Sequence, residues 1–261
     1  MEKKKKVFDI VEWILVFVLI GSFTCLLFYT RNRVREADNI PDMSASKLVL
    51  YEGPKSLKDA TPEDLAANRE SQRDNSLMHC TDTSIKVNGY DLYVYDTTVN
   101  NSRVWAADYQ PKLSRTPITY FDFEGIAKLD ITVPDIELET VKISPVESGI
   151  DSVIDKEAHK VSFTITQPGD YTVTFNDSPA RALHIFTNPI ETDAPARGDE
   201  KVVYVGPGEW NIESIILSDD ETLYISGGAV IHGIVNANYA KNVTVMGRGI
   251  IDCSHLETWG G

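Results

Sequence analysis

His232 and Asp252 are the residues whose types and spacing could do chemistry together. They stand twenty positions apart, and twenty is also the interval at which a nine-residue segment recurs along this part of the chain. If each recurrence is one turn of a coil, Ile212, His232 and Asp252 share a column and the imidazole lies over the carboxylate on one strand face. Such a pair could transfer a proton or contact a sugar, which makes His232 and Asp252 the candidate substrate-binding residues. The plainer reading is a coil-edge histidine hydrogen-bonded to a neighbouring turn, because no third partner is in view. Cys253 and His255 lie near enough to suggest a metal with this pair. Adjacent strand residues point to opposite faces, however, so four ligands converge poorly and no metal is expected.

Ser218-Asp-Asp-Glu221 is the densest acidic run nearby. Hydrolysis of a polysaccharide needs two carboxyls facing each other across a bond, roughly 5 to 9.5 Å apart. Neighbours in one turn do not provide that, so the run reads as a solvated turn. No catalytic residue and no cofactor are assigned. Asn100-Asn-Ser102, Asn176-Asp-Ser178 and Asn242-Val-Thr244 match the glycosylation sequon, a pattern common by chance.

The elements that must position these residues are the recurring segments themselves. Val202-Val-Tyr-Val-Gly-Pro-Gly-Glu-Trp210 is echoed by Thr222-Leu-Tyr-Ile-Ser-Gly-Gly-Ala-Val230 and by Asn242-Val-Thr-Val-Met-Gly-Arg-Gly-Ile250. Glycines at matching offsets with β-branched residues between them indicate stacked β-coils. In strict register Val203, Leu223 and Val243 form one column, and Val205, Ile225 and Val245 another. Gly208 and Gly228 are followed in their column by Arg248.

Upstream, residues 77–187 alternate with period two and read as seven or eight short antiparallel strands of a β-sandwich. Gln167-Pro-Gly-Asp170 reads as the turn of a hairpin between Val161–Thr166 and Tyr171–Phe175, and Val87-Asn-Gly-Tyr90 as another turn. Other expected strands are Ser84–Val87, Leu92–Tyr95, Ile118–Phe123, Ala127–Val133, Thr140–Ile143 and Ala182–Thr187. Val94-Tyr95 and Tyr120-Phe121 with Phe123 could stack on sugar, but alternate aromatics in strands are more often core. Residues 188–200, with two prolines and a glycine, read as an interdomain linker. Residues 37–76 read as a stalk, with a short helix starting at Thr61-Pro-Glu-Asp64.

Residues 10–29 are apolar except for Glu12 and are long enough to cross about 30 Å of hydrocarbon. Residues 1–36 are therefore expected to be an uncleaved membrane anchor, since the run is long for a signal peptide and no small-residue cleavage site follows. Lys3 to Lys6 precede the run, favouring a cytoplasmic N-terminus and extracellular C-terminal domains. Beyond residue 36 the chain carries 18 basic and 35 acidic side chains, a formal charge of −17, which disfavours nucleic acid as a partner. Three cysteines, spread over separate regions, form no disulfide framework.

Tyr204-Val-Gly-Pro-Gly208, Thr222 to Gly233 and Asn242 to Asp252 resemble the opening coils of polygalacturonase-like glycoside hydrolases. Val87-Asn-Gly89, Tyr120 to Gly125 and Ala182 to Pro189 resemble the β-sandwich preceding the helix in dextranase-like members. The resemblance covers roughly residues 77–261. It implies a right-handed parallel β-helix starting at residue 201, and an inverting hydrolase of a polysaccharide that needs no metal. The family's catalytic aspartates, in an Asn-x-Asp and an Asp-Asp pair, belong to later coils and have no counterpart here. The expectation is thus a mainly β, membrane-anchored, exported N-terminal portion of such an enzyme. The alternative is a non-catalytic surface module that binds carbohydrate or a partner, and a purely structural role is the third reading.

Overall fold

Alternation sends Val161, Phe163 and Ile165 to one side of a strand, where they are buried, and Ser162 and Thr164 to the other. The same rule shapes most of the described strands up to Asn188. The computed structural model describes residues 45–59, 77–99 and 114–253. The anchor expected over residues 1–36 and the helix expected at Thr61 lie outside them. Among the described residues no helix is long and apolar enough to cross a membrane.

The strands up to Asn188 are β1 (Lys47–Leu50), β2 (Met78–His79), β3 (Ser84–Val87), β4 (Tyr90–Asp91), β5 (Tyr95–Val99) and β6 (Ser114–Glu124). They continue as β7 (Ala127–Thr132), β8 (Val141–Ser144), β9 (Ser152–Asp155), β10 (Lys160–Ile165), β11 (Asp170–Phe175) and β12 (Ser178–Asn188). A four-residue helix, α1 (Lys55–Lys58), follows β1. One sheet has the order β2-β5-β6-β12-β11-β8, with β1 also on β6, and the other is β4-β3-β7-β10-β9. Their facing sides share one core, with Phe121, Phe123, Val173, Leu183 and Ile185 from the first and Ile85, Leu129, Ile131 and Phe163 from the second.

Four expectations are corrected here. Gln167-Pro-Gly-Asp170 does not close a hairpin: β10 pairs with β7 and β9, whereas β11 pairs with β12 and β8 in the other sheet. The antiparallel rule fails at the centre of the first sheet, where β12 runs parallel to β6. Alternation encodes which face a residue presents and is silent on which strand becomes its neighbour. Leu92 to Val94 are not in a strand, and β1, expected within a stalk, pairs antiparallel with the end of β6.

From Val202 the chain coils. β13 (Val202–Val205), β15 (Thr222–Ile225) and β17 (Thr244–Gly247) form one parallel sheet, and β14 (Gly208–Ile216), β16 (Ala229–Asn236) and β18 (Ile250–Asp252) form another. Val205, Leu223 and Ile225 from the first and Ile215, Ala229 and Ile231 from the second fill the space between them.

The twenty-residue register holds only in part. Tyr204 pairs with Tyr224, but Tyr224 pairs with Met246, and Thr244 lies beside Thr222. The column beside Leu223 therefore ends on Val245 and the one beside Ile225 on Gly247. The connection over residues 237–243 is two residues longer than that over 217–221, which advances the third coil by two. The shorter corner at Arg248-Gly249 restores the interval, so that His232 does pair with Asp252. On the other side the corner at 206–207 is one residue shorter than that at 226–228, so Asn211, not Ile212, stands beside His232, and an extra residue in β14 then restores the interval. That extra residue is a β-bulge, and the Ile212 carbonyl occupies the space a side chain at Gly233 would need.

The described residues belong to one compact unit. The outer face of the first sheet meets the coils, where Tyr95 and Tyr120 pack with Leu77 and Val230 in a third apolar cluster. The aromatics at Tyr95, Tyr120, Phe121 and Phe123 are thus buried, as core residues are, but on two opposite faces.

Candidate functional site

His232 belongs to the outward-facing set of β16, because its neighbour Ile231 is fully buried between the sheets. Its Nδ1 lies 2.9 Å from Asp252 Oδ2, and its Nε2 lies 2.8 Å from Glu209 Oε1. Each of the three residues comes from a different coil. Asp252 also accepts the Leu77 amide N–H at 3.0 Å, and Glu209 accepts the Ser56 hydroxyl.

Carboxylates at both ring nitrogens require both to carry protons, so the ring is an imidazolium. Burial alone would lower its pKa, but the hydrogen bonds and charges of Asp252 and Glu209 outweigh that and raise it to about 9. In this state the ring has no lone pair with which to accept a proton or bind a cation. The His232 side chain is 10% exposed and that of Asp252 8%, so access to the pair is narrow.

The structure brings together the two residues singled out from the sequence and adds Glu209, which sequence reasoning missed. The signal was present. Glu209 stands two places before Asn211, on the same face, but the corner at 206–207, one residue shorter than that at 226–228, displaced the expected column by one residue. Cys253 points elsewhere, its thiol 3.1 Å from the Gly233 carbonyl, and His255 lies outside the described residues. Among the described residues no group of three or more His, Cys, Asp or Glu could hold a metal.

A second polar cluster joins the sheets to the coils. On β6, Phe121 and Phe123 point into the core, so Asp122 points outward to the coils and is fully buried there. Arg248 Nε donates to both its oxygens at 3.1 Å, and the Tyr51 hydroxyl donates to one of them at 3.0 Å. Burial pushes the Asp122 carboxyl above its usual range despite these donors. Loss of the Tyr51 hydroxyl in Tyr51→Phe is expected to lower stability by about 1.5 kcal/mol, read by urea denaturation, because a buried charge loses a donor.

Residues 188–200, expected as a linker, are fastened along the outer face of β13 and β15. Arg248 Nη2 donates to the Pro189 carbonyl at 3.2 Å, and the Tyr224 hydroxyl donates to Glu191 at 2.6 Å. The Arg197 guanidinium lies over the Tyr204 ring, 5.3 Å from its centroid. Tyr204 and Tyr224 pack in turn, their ring centroids 5.1 Å apart and their planes tilted by 35°. The sequence clue to this cluster was Arg248, a large cation in a column of glycines.

The acidic run at residues 218–221 lies in a turn. Glu221 accepts its own turn's Ser218 N–H at 2.8 Å, and Asp219 accepts the Lys241 N–H at 2.8 Å. Asp220 takes donors from Asn242 at 2.9 Å and Lys201 at 3.2 Å, which hold its carboxyl below the usual range. These acids tie the turns of successive coils together.

Facing sheets joined by a buried ion pair to the first coils of a parallel stack define a mainly β protein with a parallel β-helix fold. No family model and no curated protein match the sequence. Among solved structures the chain is similar to Dex49A from Penicillium minioluteum, with a TM-score of 0.55 and 14% identity over 79% of this chain and 49% of that one. The chain therefore spans about half the length of Dex49A, and at this identity the likeness is one of fold.

Proposed function

We propose that this chain is the opening part of a membrane-anchored, exported glycoside hydrolase that acts on a polysaccharide. In this reading residues 1–36 hold it in the membrane, with the N-terminus in the cytoplasm, and the chain then leads outward to β1, which pairs with β6. Residues 77–187 form a β-sandwich, residues 188–200 join it to the coils, and residues 201–261 begin a right-handed β-helix. The observation that carries the reading is the parallel stacking of the glycine-bearing coils, in a fold similar to that of Dex49A. Those coils hold the motifs that resemble polygalacturonase-like enzymes, and the sheets before them hold the segments that resemble dextranase-like members. The facing sheets act as a rigid base that sets the pitch and direction of the first coils. Coils of the family's catalytic type lie further along such a stack, and no residue here is assigned a catalytic role.

A second reading, a non-catalytic module that binds carbohydrate, is favoured by one observation. Glu209 and Asp252, brought close by the coils, bracket a protonated imidazole and do not face each other across open space. His232 and Asp252 then contact sugar only at the rim of the cluster.

One pair of measurements tests both readings: migration of this chain in native gels containing dextran or polygalacturonate, and release of reducing ends from the same polymers by the whole protein of which this chain is read as the opening part. Retarded migration with new reducing ends supports the hydrolase, and retarded migration alone supports the binding module. Unretarded migration in every gel, with no reducing ends released, sinks both.

A further inference from the structure

We infer that Glu209, His232 and Asp252 form a proton-dependent latch that fastens the first three coils to one another and to the segments at Ser56 and Leu77, and that opens in alkaline solution. The inference rests on connectivity. The ring sits on the middle coil, its two partners sit on the coils either side, and each partner has a further bond to a segment outside the coils. Ser56 belongs to α1, and Leu77 immediately precedes β2 of the first sheet. Four residues from four other places along the chain are thus linked through one ring.

A neutral imidazole has a single N–H and can serve only one of the two carboxylates. When the proton leaves, the other carboxylate loses the ring as a donor, and two negative groups face each other without the imidazolium between them. Three neighbouring titratable groups add no compensating charge. Tyr93 stands near Glu209 and Asp59, and burial pushes its hydroxyl up, so it stays neutral. His79, packed on Tyr93, is pushed down by burial and by Lys58, so it adds no charge near neutral pH. Cys253 beside Asp252 is pushed up by burial and by that carboxylate, and stays a thiol.

The sign follows from the direction of the His232 shift. A ring held above its ordinary value contributes fully below that value and loses its contribution as pH rises through about 9. The latch is therefore closed at neutral and mildly acidic pH.

Amide hydrogen exchange on the full chain, corrected for intrinsic rates, tests this. Between about pH 7 and about pH 10, protection around residues 77–80 and 208–211 is expected to fall at least about tenfold, with β10 unchanged. In His232→Gln, protection at those sites should be low at both values. An equal pH-dependent fall in that variant, or none in the wild type, overturns the latch. Should His232→Gln fail to fold, Glu209→Gln serves in its place. It leaves the Asp252 pair intact and should move the midpoint down by about one pH unit; an unmoved midpoint also overturns the proposal.

Discussion

Replacing Arg248 by alanine is expected to lower stability by about 3–5 kcal/mol at neutral pH. Asp122 is fully buried, and Arg248 supplies the positive charge beside it. Without the guanidinium, the carboxylate keeps the Tyr51 hydroxyl and no cation to offset the charge. Burial already holds Asp122 above its usual range, and removing Arg248 raises it further. A carboxyl held above its unfolded value is stabilised by protonation, so the Arg248→Ala deficit should shrink as pH falls from about 7 to about 5. Urea denaturation at the two pH values measures this.

The double variant Asp122→Asn, Arg248→Met should lose less than the sum of its single variants, because it leaves no buried charge unpaired. Strict additivity would show that the pair is not the lock between sheets and coils. The upward shift of Asp122 also shows that its partners do not fully offset its burial. The pair contributes a fixed seat for the coils more than net stability.

Gly247→Ala should be similarly damaging, by roughly 2–6 kcal/mol. Gly247 has φ +116°, and a Cβ there would overlap the Ile225 carbonyl oxygen of the coil beneath. The backbone conformation contributes roughly 1–3 kcal/mol of strain and the overlap roughly 1–3 kcal/mol more. Gly233→Ala carries only the second effect, because its obstacle is the Ile212 carbonyl at the bulge and its φ is not in the positive range. Thermal unfolding should therefore place Gly233→Ala between the wild type and Gly247→Ala. Near-wild-type melting of Gly247→Ala would mean that the third coil is not seated as described.

Much of this fold was legible in local patterns. The alternation in Val161–Ile165 and the glycine-bearing echoes at Val202, Thr222 and Asn242 located the strands and the coils. The pairing of His232 with Asp252 followed from their spacing. The Tyr204, Tyr224, Thr244 column did not, because two extra residues in the 237–243 connection advance β17, and a shorter corner then takes them back. Two compensating length changes leave the period intact while shifting what lies within it. The β10–β11 hairpin failed for a related reason, since a Pro-Gly turn fixes a reversal of direction and not the sheet that receives the next strand.

The sequence by itself determined which residues face inward, that the C-terminal third of the described chain coils in parallel, and that one histidine and one aspartate meet there. Those features depend on periods of two and about twenty residues, which act over short stretches of chain. Tertiary structure alone decided that Glu209 completes the His232 cluster and that Asp122, 126 residues before Arg248, receives its guanidinium. A carboxylate shows its partner only when distant segments are brought within 3 to 4 Å, and no local pattern records that distance.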